Sequence, residues 1–231
     1  MQKMLLSLLL LISLVGSLAL EDLEGKALVF PEASDTAHAR LKTTIQQPLT
    51  SFTLCLRYLT EIKHIQPLFS YASKRTDNEI LLNRNNIGYE LYIEGLTKVD
   101  FTVPEILTSN SVGEHVCVSW ESATGLVELW VNEKPLVRKS LQKGHSVSAE
   151  GSIVIGQEQD TFGGGFDINQ SFVGEITDLY MWDRILCPDE VVLAFHNYPL
   201  PGYLINWRSL SYSIRGYALV KPVLLSAQRA G

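Results

Sequence analysis

The densest chemistry in the chain lies between Glu158 and Gln170. Glu158, Asp160 and Asp167 stand there among amide side chains, on either side of Gly163-Gly164-Gly165. Carboxylate and amide oxygens are what a hard cation such as calcium collects, typically ~6–8 of them. Glycines allow the segment to fold back, so donors from its two ends can meet. Glu158 and Asp160 are two residues apart, which puts both side chains on one face of an extended segment. The spacing is not that of an EF-hand, which alternates acidic or amide residues, places glycine sixth and glutamate twelfth. A cation held here needs a different fold and further ligands from elsewhere in the chain.

The elements available to position such a loop are mainly strands. Runs with β character occur at 51–58, 80–82, 88–93, 99–103, 115–121, 126–132, 152–156 and 172–182, with turn signals such as Ser122-Ala123-Thr124-Gly125 between them. This spacing predicts an all-β sandwich or barrel. One helix is predicted over 187–196, with Pro188 in its first turn, Asp189 and Glu190 beside it, and Asn197 and Pro199 beyond. Trp120, Trp130, Trp182 and Trp207 read as core and interface residues, and His115 as packed or hydrogen-bonded.

Lys3, the apolar run Leu5 to Val15 and the small residues of Ser17-Leu18-Ala19 read as a secretory leader covering 1–19, followed by one domain over 20–231. The apolar run is shorter than the ~20 residues of a membrane span. The 19 Lys and Arg against 25 Asp and Glu, a net charge of −6 without a basic run, argue against nucleic-acid binding. In an oxidising compartment, Cys55, Cys117 and Cys187 predict one bridge and one cysteine left over. Cys55 and Cys117 lie mid-strand. Cys187, before the helix, reads as a buried thiol in preference to an intermolecular bridge.

The octapeptide His115-Val116-Cys117-Val118-Ser119-Trp120-Glu121-Ser122 fits the pentraxin signature at every fixed position. With Thr76-Asp77-Asn78-Glu79, Gly156-Gln157-Glu158-Gln159-Asp160, Tyr180-Met181-Trp182-Asp183 and Asn206-Trp207, the chain resembles a short pentraxin over about residues 22–225. The resemblance implies a two-sheet lectin-like jelly roll with one helix on one face, a Cys55–Cys117 disulfide, and a cyclic homo-oligomer, usually a pentamer. It implies two calcium ions per subunit on the face opposite the helix, held by Asp77, Asn78, Glu158, Asp160, Asp167, Gln170 and the main-chain carbonyl of Gln159. It implies a secreted, calcium-dependent recognition protein of innate immunity. Such a protein binds anionic groups on microbes, damaged membranes, polysaccharides or debris and recruits complement and phagocyte receptors through the helix face.

The ligand pocket departs from the family. Members that prefer phosphocholine have a phenylalanine where Asn83 stands and an acid in the region of Leu96-Thr97-Lys98. Serum amyloid P-like members have tyrosines, of which Tyr92 alone matches. Asn83 and Tyr92 are therefore the pocket candidates, with Lys98 expected to repel a cation. Asn169-Gln170-Ser171 is a glycosylation sequon inside the calcium loop. The alternative class is a jelly-roll glycoside hydrolase using Glu158 and Asp160. The further glutamate usual in such enzymes is replaced here by Thr161, Phe162 and glycines.

Overall fold

The computed structural model describes residues 20–42, 45–107 and 113–224. The expected leader and the polar tail from Ser226 lie outside the described residues. Two antiparallel sheets face one another. Numbered along the chain, the first runs β1 (Leu20–Glu21), β16 (Leu210–Arg215), β3 (His38–Leu41), β13 (Ser152–Ile155), β5 (Gln66–Ala72), β6 (Ile80–Arg84), β7 (Gly88–Ile93), β8 (Lys98–Thr102). The second runs β11 (Lys134–Pro135), β10 (Leu126–Val131), β9 (Glu114–Glu121), β4 (Ser51–Leu59), β14 (Gly174–Trp182), β2 (Lys26–Phe30), β17 (Leu219–Pro222). In addition, β12 (Lys139–Ser140) pairs with β10, and β15 (Tyr203–Asn206) with β14. This is the expected jelly-roll sandwich.

The period-two pattern decides what each sheet turns inward. Ile80 and Leu82 of β6, Tyr89, Leu91 and Ile93 of β7, and Ile153 and Ile155 of β13 join the core. Their alternates, Asn83, Glu90, Tyr92 and Val154, belong to the outer face. Phe52, Leu54 and Leu56 of β4 meet the core with Val116, Val118 and Trp120 of β9, while Arg57, His115 and Ser119 face outward. Cys55 lies directly across from Cys117 and is bridged to it, with Cα atoms 4.1 Å apart.

The single α-helix among the described residues, α1 (Pro188–Phe195), lies on the outer side of the nine-stranded sheet, where Phe195 meets the His115 ring at 5.4 Å. Its start is closed by Glu190, whose carboxylate accepts the Cys187 main-chain N–H at 2.9 Å. Cys187 is free and exposed: its place before the helix start puts it at the surface, in the cap outside the first turn, and not packed as a buried thiol.

Strands β2, β3, β5 and β16 escaped the sequence reading. Pro67 demotes the β5 run, yet the strand carries it at a register shift between Pro67 and Phe69. The run 172–182 pairs as β14 only from Gly174.

Candidate metal centre

Three pieces of chain meet on the outer face of the eight-stranded sheet. The first is the turn before β6. The Ser73 hydroxyl accepts the main-chain N–H groups of Arg75 and Thr76, and Asp77 follows at once, accepting the Asn78 N–H at 3.0 Å. The second is the segment leaving β13. The buried Gln159 side chain donates to the Ser70 and Ser152 carbonyls at 3.1 and 3.0 Å and accepts the Gly163 N–H at 2.9 Å. Its amide is spent on holding the loop, which leaves the Gln159 main-chain carbonyl as its possible donor to a cation. The third is the returning arm. The Gln170 carbonyl accepts the Glu158 N–H at 3.2 Å, and Asp167 caps the short turn Ile168–Gln170.

The glycines make the reversal possible. Gly163 and Gly165 have φ of +78° and +74°, and a Cβ on Gly165 would lie 2.9 Å from that of Asp160. Arg40 donates to the Gly163 carbonyl, and His38 stacks on Phe166 at 4.7 Å. The loop is thus tied to β3, an anchorage the linear spacing does not reveal.

Electrostatics bind these pieces into one cluster. Burial pushes the Glu158 carboxyl up to about 7; Asp160, Asp77 and Glu90 push the same way, against a hydrogen bond from Asn78. Burial also raises Asp160, with Asp77 and Asp167 adding to it. Asp77 and Asp160 thus repel Glu158, and Asp77 and Asp167 repel Asp160, although no three of these carboxylates bring their oxygens within 4.8 Å of one another. Beside them the Asn78 side-chain Oδ1 is buried without a hydrogen-bond partner. Crowded anions and an orphaned amide oxygen fit a hard cation, which supplies both missing interactions at once.

A cavity of about 250 Å³ opens next to the cluster, lined by Asn78, Asn83, Tyr92, Glu158 and Gln170 together with Ile65, Pro67 and Leu96. Asn83 is 2% exposed and its Oδ1 has no hydrogen-bond partner. Two features add to the sequence reading of this pocket. Glu90, which is not among the lining residues, pairs across the strands with Asn83 and accepts the Tyr92 hydroxyl at 3.2 Å. Lys98 is not a free cation, because Glu90 and Asp100 hold it at 2.8 and 3.0 Å. Alternation along β7 places Glu90 beside Tyr92 on the outer face, a signal readable once the register is known. Asn169 is exposed, and its amide donates to Asp167 at 2.9 Å.

The model of the Pentaxin family matches residues 26–222. The chain belongs to that family. It is 45% identical to human serum amyloid P-component over 97% of its length and 99% of that protein. It is also 45% identical to human C-reactive protein, over 95% and 98% of the two chains. Among solved structures, the heptameric serum amyloid P-like pentraxin from Limulus polyphemus aligns with a TM-score of 0.75 and 26% identity, over 88% of this chain and 97% of that one. No helix among the described residues of this pentraxin is long and apolar enough to cross a membrane.

Proposed function

We propose that this pentraxin is a secreted recognition protein that binds phosphate, sulfate or carboxylate groups through two calcium ions per subunit. The carrying observation is the cluster itself: four carboxylates and an orphaned Asn78 oxygen beside an open cavity. Asp77, Asn78, Glu158, Asp160, Asp167, Gln170 and the Gln159 carbonyl would hold the ions. Bound calcium supplies the positive charge that lets an acidic chain grip an anionic oxygen. The chain's own residues then choose the rest of the ligand. Asn83 offers a buried acceptor to a head group that can donate a hydrogen bond, and a quaternary ammonium cannot. Tyr92 also lines the cavity.

The leader supports secretion. The Limulus relative is heptameric, which supports a closed ring for this chain, with five subunits the number the resemblance favours. A ring multiplies weak sites into firm binding on a repetitive surface. The targets are microbes, damaged membranes, polysaccharides and debris, and the helix face is left for complement and phagocyte receptors. Asn169 is exposed and available to a glycan, at the edge of the binding face. Binding, not hydrolysis, is the function: Glu158 and Asp160 share a crowded cluster with two further acids, without the further glutamate of the jelly-roll hydrolases.

Calorimetric titration in calcium, with phosphoethanolamine and phosphocholine side by side, tests the reading. Phosphoethanolamine binds at least as tightly, and chelator abolishes both. A tenfold preference for phosphocholine, about 1.4 kcal/mol, would remove Asn83 from the role given to it.

A further inference from the structure

The residues at the mouth of the cavity are not those of a site built only for a soluble head group. Leu96 is 88% exposed at the tip of the β7–β8 hairpin, and Ile65 across the cavity is 38% exposed. The tip is rigid. Glu94 and Gly95 take φ of +59° and +80°, the Gly95 N–H donates to the Asn78 carbonyl at 2.9 Å, and Ile93 N–H to that of Thr97 at 3.1 Å. Leu96 is therefore fixed one residue from a main-chain contact to the proposed cation cluster.

The charges near this tip are drawn back from it. Glu94 is held by Gln142 at 3.0 Å and His145 at 3.1 Å, and Lys98 by Glu90 and Asp100. Three cations are exposed nearby in sequence to the lining residues: Lys63, two before Ile65, and Lys74 and Arg75, on the turn leading into Asp77. An apolar side chain held outward beside a head-group site, with exposed basic residues on the segments that carry the lining residues, matches the layering of a bilayer surface: anionic oxygens outside, hydrocarbon beneath. A soluble sugar or a protein loop offers no hydrocarbon at a fixed depth below a phosphate.

We infer that Leu96, with Ile65 behind it, enters the interfacial layer of a phospholipid bilayer while the neighbouring cluster engages a lipid phosphate. The inference rests on the head-group reading above and adds the surface that presents the group. Penetration by one leucine strengthens binding to vesicles by more than any contact it makes with the free head group, so the two separate experimentally.

The test uses the full protein, Leu96→Ser and Leu96→Trp, with unchanged melting temperatures as the check on folding. Free phosphoethanolamine is titrated by calorimetry in calcium. Vesicles of phosphatidylethanolamine, phosphatidylserine and phosphatidylcholine are titrated by co-sedimentation. Leu96→Ser loses roughly tenfold or more on vesicles beyond whatever change its free head-group affinity shows, as removing a leucine that enters the bilayer implies. The Leu96→Trp spectrum, less that of wild type, shifts to the blue on vesicles in calcium and is quenched by shallow brominated lipids. If Leu96→Ser binds vesicles as wild type does and the new tryptophan stays solvated, penetration is wrong and the head-group reading stands. If wild type binds neither head group nor vesicles in calcium, both readings fall together.

Discussion

The two outer faces of this sandwich solve the same problem in opposite ways. Both carry buried or half-buried carboxylates. On the helix side, Asp178 sits in a bulge of β14 with φ of +53°. Burial raises its carboxyl, and Arg57 works against that rise. Arg57 approaches it at 3.6 Å, Asn197 donates to it at 3.2 Å, and the Tyr180 hydroxyl donates in turn to Asn197 at 2.8 Å. Arg57 also donates to the Phe195 carbonyl at 3.0 Å and lies over its ring at 5.1 Å. That network is closed within the chain. On the opposite face Glu158, Asp160, Asp77 and Asp167 have one another and no partner arginine or lysine among the described salt bridges. A closed network holds a structure together, whereas an open one keeps its interactions for something that binds.

The largest effect expected from breaking this contrast is at Glu158. Glu158→Gln removes a charge and a chelating oxygen from the open cluster, so calcium-dependent ligand binding falls at least a hundredfold while the fold and melting temperature in chelator hold. Glu128→Gln is the control, since Glu128 is paired on the other sheet with Arg138 at 2.6 Å. Isothermal titration with calcium, then with phosphoethanolamine, reads the difference. Normal binding by Glu158→Gln would move the site elsewhere.

The next two effects are on stability and belong to the closed face. The Cys55–Cys117 bridge spans a sequence separation of 62, for which chain entropy gives about 4 kcal/mol. Replacing both cysteines by alanine lowers the urea midpoint accordingly and leaves the metal cluster on the far sheet unaltered. Asp178→Ala leaves Arg57 buried without its partner and costs about 3 kcal/mol. Retention of full stability by Asp178→Ala would mean that solvent, not Asp178, satisfies Arg57.

Much of this contrast was legible before the structure, but unevenly. The loop 158–170 declared itself because carboxylates and glycines are rare in such density, and the octapeptide around Cys117 tied it to a family. Strands β4, β9 and β10 were read to within a residue of their ends. Three things were hidden. β5 is buried on both faces, so it has no alternation to read, and it carries Pro67. Glu90 was passed over because its partner Asn83 is brought to it only by the β6–β7 register. Arg40 and His38 hold the glycine loop from more than 120 residues away. Local chemistry is visible in a sequence; the partners that neutralise or anchor it are set by which strands become neighbours.

The smallest expected effect is at the start of α1, where the closed face can be opened by pH alone. Two guanidinium hydrogen bonds from Arg184, at 2.7 and 2.8 Å, hold the Glu190 carboxyl down at about 2 against the opposing effect of burial, and the Cys187 N–H adds to the lowering. A carboxyl lowered in the folded state contributes stability that is complete above its ordinary value near 4.5 and fades as pH drops from there toward 2. The pair is partly exposed, at 38% and 25% for the two side chains, so solvent screening limits its contribution to about 1 kcal/mol. Glu190→Gln should therefore melt about 1–3 °C below wild type at pH 7 and at pH 5, and the gap should narrow between pH 4.5 and 3. Binding of phosphoethanolamine in calcium should be untouched at pH 7, since Glu190 lies on the face away from the cluster. A gap that stays constant down to pH 3 would show that the amide's changed packing, not the lost charge, is responsible, and Arg184→Met, which leaves the Cys187 contact in place, would then melt as wild type does.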